Sequence, residues 1–235
     1  MYFLFVKGFR HEMAKDSFLR VEMHCHSASS PDSLASVETM IARARHIGLD
    51  KMIITDHNTL RGARKARYLA PDLVIAGEEV LTTRGELLAA FVQEEIPAGL
   101  PPLDALRALR EQGAFVSVAH PFDLQRHGWQ MEDLEAILPL VDAVEVFNSR
   151  CIRQEMNHQA RDLALRRGIP GTVGSDAHSL REIGRATLLL PAFSDATELR
   201  RALPQARQLV RRSSPMVHLI STFAKGVRRL SPARD

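Results

Sequence analysis

The sequence predicts an α/β fold in which a parallel sheet forms one large domain, followed by a basic helical segment. Short apolar runs alternate with stretches of helical period from about residue 19 to 190, as successive βα units require. A length of 235 residues suits one large core with a small appendage. The composition, 45% hydrophobic and 25% charged, is that of an ordinary globular chain and excludes a disordered, collagen-like or coiled-coil protein.

Residues 1–18 show no sustained period and are expected to form an N-terminal extension. Strands are then predicted at Leu19–Met23, Lys51–Thr55, Leu73–Ala76, Leu87–Val92, Phe115–Ala119, Ala143–Phe147 and Gly171–Val173. Between them, Val37, Met40, Ile41 and Ala44 stripe a helix with Ser36 as its N-cap and Gly48 as its stop. Pro101 and Pro102 open a helix through Leu103, Leu106 and Leu109 that ends at Gly113. Met156, Ala160, Leu163 and Ala164 stripe another that ends at Gly168. The barrel is expected over residues 19–192 and a helical segment packed on it over 193–235. In that segment Asp195 caps one helix and Ser214-Pro215 starts a second, with Val217, Ile220, Ala224 and Val227 on its apolar face. Arginines and Lys225 make it basic, which reads either as a solvated face or as a contact for nucleic acid or an acidic surface.

No apolar run reaches the roughly 18 residues of a membrane span, and the opening stretch has neither the charged leader nor the cleavage site of a secretory signal. A cytoplasmic location is the expectation, in keeping with two cysteines that cannot build a disulfide framework. The net charge of +3 says little about partners.

Parallel barrels carry their chemistry at the C-terminal ends of the strands. Here those ends hold His24 and His26, Asp56 and His57, Glu78 and Glu79, His120, Asn148, and Asp176 and His178. In extended chain, residues i and i+2 share a face, so His24-x-His26 and Asp176-x-His178 each aim two ligand groups one way, while Cys25 points oppositely. Imidazole mixed with carboxylate suits Zn, Mn or Fe better than Mg or Ca.

The segments HCHSASSPDS at 24–33, ITDHNT at 54–59, AGEEV at 76–80, AHPFD at 119–123, VEVFNSR at 144–150 and GSDAH at 174–178 together resemble the PHP (polymerase and histidinol phosphatase) superfamily of metal-dependent phosphoesterases. The resemblance implies a distorted (β/α)7 barrel with two to three divalent ions. It implies one metal on His24, His26, Glu79 and Asp176, a second sharing Glu79 and adding His120, and a third on Asp32, His57 and His178. Asp56 would orient a ligand imidazole. Two departures stand out. Many relatives carry a further histidine on the fourth strand, where this chain has Glu86, either a substitute ligand or a solvent-facing glutamate. Glu22 stands where many relatives have Asp.

The reaction so implied is phosphoester hydrolysis by metal-activated water without a covalent protein intermediate. Arg126, Arg150 and Arg181 are candidates to grip the substrate, with Arg126 and Asn148 also assigned to catalysis beside Asp56. The candidate substrates are a small phosphomonoester, a nucleotide bisphosphate and a short oligonucleotide, and so few Tyr and Trp favour a small one. Two alternatives compete: an amidohydrolase-like metal hydrolase, and a non-catalytic metal-binding module with a nucleic-acid-interacting tail. The sequence leaves the oligomeric state open.

Overall fold

The computed structural model describes residues 18–230. Nine strands form one sheet in the order β7-β6-β5-β4-β3-β2-β1-β8-β9. In chain order they are β1 (Phe18–Cys25), β2 (Lys51–Ile54), β3 (Val74–Leu81), β4 (Glu86–Ala90), β5 (Phe115–Val118), β6 (Ala143–Asn148), β7 (Gly171–Gly174), β8 (Ala186–Pro191) and β9 (Arg207–Val210). The helices are α1 (Val37–His46), α2 (Arg61–Leu69), α3 (Pro102–Glu111), α4 (Met131–Ile137), α5 (Gln154–Arg167), α6 (Ala196–Ala202) and α7 (Val217–Leu230). No helix among the described residues is long and apolar enough to cross a membrane.

The predicted helix boundaries have visible causes. Ser36 accepts a hydrogen bond from Thr39 N–H, and Asp195 accepts one from Glu198 N–H. Gly113 and Gly168 take the left-handed backbone that stops α3 and α5, with φ of 74° and 65°. The apolar sides of α3 and α5, through Leu106, Leu109 and Leu163, join Phe115, Val144 and Leu188 in the main core.

Three expectations need correction. The sheet is not all parallel, because β4 runs antiparallel to both β3 and β5. The reason is the connection: only residues 82–85 join β3 to β4, far fewer than the dozen or so a parallel crossover needs. Two strands were also not foreseen: β8 pairs antiparallel with β1, and β9 antiparallel with β8, so the C-terminal segment is not wholly helical. Finally, Ile220 on α7 does not belong to a packed apolar face, since it is 47% exposed beside exposed Leu219 and Phe223, while Ala224 and Ser221 are buried.

The sheet is rolled into a nearly closed barrel by a divided β1. Its first half, Phe18–Val21, pairs with β8. Beyond that the partner changes: His24 C=O accepts from Asp176 N–H at 2.8 Å, and Ala177 C=O from His26 N–H at 2.8 Å. The segment after β7 thus meets the end of β1, and Asp176 does so in left-handed backbone with φ 51°, a conformation Asp tolerates better than most residues.

Because β8 completes this arrangement, its fully buried Leu188 is part of the barrel's core. Leu188→Ala is expected to cost about 2–5 kcal/mol of stability, read from the midpoint of urea unfolding. A loss under about 1 kcal/mol would mark β8 as peripheral.

Candidate metal centre

The strand ends and the loops after them converge on a cavity of about 380 Å³. His24 and His26 leave β1 on the same side and are fully buried, whereas the intervening Cys25 turns away and its thiol donates to Ile53 C=O. Glu79 lies near the end of β3. Its neighbour Glu78 points elsewhere and accepts from Ile96 N–H, so the two acids are separated by strand alternation.

Four donor atoms from three strand ends face one another. His24 Nε2 and His26 Nε2 are 3.0 Å apart, and Glu79 Oε2 lies 3.4 and 3.3 Å from them. Asp176 Oδ1 lies 3.6 and 3.3 Å from the same two nitrogens. Ligands at zinc-like distances in a tetrahedron stand about 3.3–3.4 Å from each other, so this quartet fits a small divalent cation. On the other side of Glu79, its Oε1 is 3.1 Å from His120 Nε2, which is 3.5 Å from Glu86 Oε2. A third group sets Asp32 Oδ1 3.2 Å from His178 Nε2 and Asp32 Oδ2 3.5 Å from His57 Nε2. His57 Nδ1 then returns to Glu79 Oε2 at 3.1 Å.

The hydrogen-bond accounting also points to a cation. Glu79 Oε2, Asp32 Oδ1 and His120 Nδ1 are buried with no hydrogen-bond partner among the described residues. A carboxylate oxygen surrounded by imidazoles yet bonded to none is costly unless something else satisfies it.

Charge compensation follows the same geometry. Burial opposes protonation of His24 and His57, but the surrounding carboxylates, Glu79 foremost, outweigh it and push both pKa values well up. Burial alone would raise Glu79, yet His24 and His57 hold it well below the usual range. His26 goes the other way, to about 3, through burial and the neighbouring His178 and His57. Glu86 is pushed up to about 8 by burial and by the charge of Glu79. Ligands must shed their protons to bind a metal, so a cation here would take over the role those protons play.

Behind the donors lies a layer that fixes their orientation. Glu145 Oε1 is 2.9 Å from His24 Nδ1, which leaves Nε2 as the nitrogen presented to Glu79 and Asp176. Its other oxygen accepts from His120 N–H at 2.9 Å and from Asn148 Nδ2 at 3.1 Å. Asp56 reaches His26 through an intermediary: it accepts from Ser27 N–H, Ser27 Oγ and Ser30 Oγ at 2.7, 2.6 and 2.8 Å, and Ser30 Oγ is 3.2 Å from His26 Nδ1. Glu22 accepts from Ser175 and Gly184 N–H at 3.1 and 2.9 Å, pinning the segment that carries Asp176 and His178.

All nine residues expected as ligands, His24, His26, Asp32, His57, Glu79, Glu86, His120, Asp176 and His178, therefore lie in one cluster. Glu86 is not solvent-facing: it is buried and lines the cavity. It reaches this end from a strand start because β4 is antiparallel. The remaining expected residues stand in different surroundings. Asp56 and Asn148 do not line the cavity, and Asn148 spends its amide on Glu145, Asp176 and Arg126. Arg126 lines the cavity but is paired with Asp123 and Asp176. Arg150 is buried and bonds His178 Nδ1 at 2.6 Å and α7 through Val217 C=O. Arg181 is exposed and outside the cavity lining, a position that gives it no hold on a substrate there.

Some contributors went unforeseen. Glu145 carried a signal, an acid in the middle of the apolar run AVEVF. Ser27 and Ser30 carried none. His218, Ser221, Thr222 and Lys225 of α7 also line the cavity.

Comparison with known proteins places the fold. The chain matches the sequence model of the PHP domain over residues 22–98 and that described as PHP-associated over 154–207. It is 36% identical over 175 residues to the uncharacterized protein MJ0417 of Methanocaldococcus jannaschii, covering 72% of this chain and 69% of that protein. A two-domain protein from Bacteroides vulgatus, described as containing a predicted PHP-like metal-dependent phosphoesterase, superposes with a TM-score of 0.66 at 20% identity, over 82% of this chain and 65% of that one. The lesion-specific endonuclease PfuEndoQ from Pyrococcus furiosus superposes with a TM-score of 0.61 at 15% identity, over 84% and 60%. The last two are likenesses of fold.

The orienting role of Glu145 is open to test. Glu145→Gln keeps the shape but removes the charge behind His24, and is expected to weaken Mn²⁺ or Zn²⁺ binding about 10–100-fold in a chelator competition while the circular dichroism spectrum is unchanged. Undiminished affinity would show that the contact is incidental.

Proposed function

Since the chain belongs to the PHP domain family, we propose that it is a metal-dependent phosphoesterase acting on a small phosphorylated molecule or nucleotide. The observation that carries this reading is the clustering of nine imidazoles and carboxylates, with Glu79 shared among them, at one cavity. His24, His26, Glu79 and Asp176 would hold one divalent ion, Glu79 with His120 and Glu86 a second, and Asp32, His57 and His178 a third. Such ions supply an activated water at neutral pH and positive charge for the phosphoryl oxygens.

The chain's own residues prepare this site. Glu145, and Asp56 through Ser30, turn the Nε2 atoms of His24 and His26 toward Glu79 and Asp176. Arg126 holds Asp176 by an ion pair, and Asn148 donates to the same carboxylate at 3.2 Å. A cysteine nucleophile is disfavoured: burial pushes the Cys151 thiol up to about 12, and Cys25 is buried facing away.

Substrate size follows from the walls. One side of the cavity is lined by α7, and its volume of about 380 Å³ suits a small phosphorylated molecule or a single nucleotide. Stacking platforms are also scarce, since Trp129 is buried beneath Gly85. Two arginines of the C-terminal segment are engaged internally, Arg200 with Asp142 and Ala114 C=O and Arg212 with Ile152 C=O.

Purified protein supplied with Mn²⁺ or Zn²⁺ is expected to hydrolyse p-nitrophenyl phosphate, to stop on chelation and to recover when metal is restored. His24→Ala and His120→Ala should each lower kcat/KM by at least about 10²-fold without unfolding the protein. Turnover that survives both substitutions, or full chelation, would refute the reading.

A further inference from the structure

Apart from histidines, the cations lining the cavity are Arg126, Arg150 and Lys225. Two of them are committed to other groups. Arg126 gives Nε to Asp123 and Nη1 to Asp176, and its Nη2 lies 3.3 Å from Asn148 Oδ1 and 3.7 Å from Cys151 Sγ. Arg150 gives Nη1 to His178, gives Nη2 to Val217 C=O and Ser221 Oγ at 3.0 and 2.7 Å, and sets Nε 3.3 Å from Glu182. Lys225 differs. Its side chain is 53% exposed, and its ammonium meets Asp32 Oδ2 at 3.4 Å. Asp32 does not depend on it, because His57 and His178 already face that carboxylate. An ammonium has three donors, so Lys225 retains capacity toward the cavity.

The helix presents this residue by construction. Ser221, Thr222 and Lys225 fall at the spacing that puts helical side chains on one face. Ser221 Oγ accepts from Arg150, and Thr222 Oγ1 donates to His218 C=O, while the lysine, paired only with Asp32, is the charged member of that set. The start of α7 is fixed by Arg150 and by His218 Nε2, 3.1 Å from Arg150 C=O. The segment also lies beyond residue 207, where the match to the family models ends.

We propose that Lys225, carried on α7, recognises the phosphate of the substrate and sets a preference for phosphomonoesters over phosphodiesters. The inference rests on the phosphoesterase reading. An ammonium acts as a point charge, and a monoester brings up to two negative charges to it where a diester brings one. Removing it therefore penalises the monoester more.

The test uses the full chain with Mn²⁺, p-nitrophenyl phosphate and bis(p-nitrophenyl) phosphate as paired substrates, and calorimetric titration with inorganic phosphate. Lys225→Ala is expected to raise KM for the monoester and weaken phosphate binding, each about tenfold, with kcat within about twofold and the diester KM shifted less than about threefold. Lys225→Arg should recover most of the loss. Lys65→Ala is the control, since that lysine pairs with Glu38 on the surface. Unchanged phosphate affinity in Lys225→Ala, or equal losses on both esters, overturns the proposal. Failure of the parent reading looks different: wild-type protein would turn over neither ester. Phosphate binding that still weakened in Lys225→Ala would then uphold the recognition role, and binding that did not would end it.

Discussion

The carboxylate of Glu79 is the constraint around which the mouth of the barrel is arranged. Its Oε2 is 3.4, 3.3 and 3.1 Å from nitrogens of His24, His26 and His57, and its Oε1 is 3.1 Å from His120. A buried carboxylate without such neighbours would take up a proton, because losing hydration costs more than the protein's ordinary dipoles return. Three imidazoles, those of His24 on β1, His57 in the loop after β2 and His120 in the loop after β5, keep it charged. Its backbone is held equally firmly: Glu79 N–H donates to Asp56 C=O at 3.2 Å, and its C=O accepts from Asn58 N–H at 2.9 Å. The acid and the loop that supplies His57 are therefore positioned by the same short pairing.

That arrangement requires β1 to end inside the barrel, which the division of its edge achieves. With β8 on its first half and the Asp176–Ala177 segment on its second, β1 has little unpaired edge, and Asp176 is drawn up against His24 and His26 by backbone bonds as well as by its charge. Glycines mark where this closure is tightest. At Gly174, a Cβ would meet Glu145 Oε1 at 2.2 Å and His24 Cβ at 2.5 Å, so any larger residue would push apart the acid and the imidazole it orients. The precision of the donor set is thus a property of backbone packing several residues away.

Much of this is legible in the sequence because it obeys simple periods. The i, i+2 rule puts His24 with His26 and sends Cys25 away, and the helix caps at Ser36 and Asp195 lie where their residue types suggest. What resists reading does so for specific reasons. The direction of β4 lay in the length of residues 82–85, a geometric clue that an apolar run does not display. All four residues of β9 are exposed, so it has no burial pattern to announce it. Glu145 was visible as an acid within an apolar strand, but its partners come from β1 and from the loop after β5, and no local pattern names them. Arg150 and Arg126 line the cavity, as arginines beside strand ends suggest, but the internal partners the fold also gives them have no local signal.

The C-terminal helix breaks the usual rule of amphipathic packing. Leu219, Ile220 and Phe223 face solvent, while His218, Ser221, Thr222 and Lys225 turn toward the cavity. A helix placed this way gains little from apolar burial, so its position must come from polar bonds, and Arg150 supplies them. One guanidinium reaches Val217 C=O and Ser221 Oγ on the helix and His178 Nδ1 at the candidate centre. The wall of the cavity and one of its imidazoles are consequently linked through a single side chain. A shift of the helix cannot leave His178 untouched, and a rearrangement at His178 must be felt where Lys225 stands.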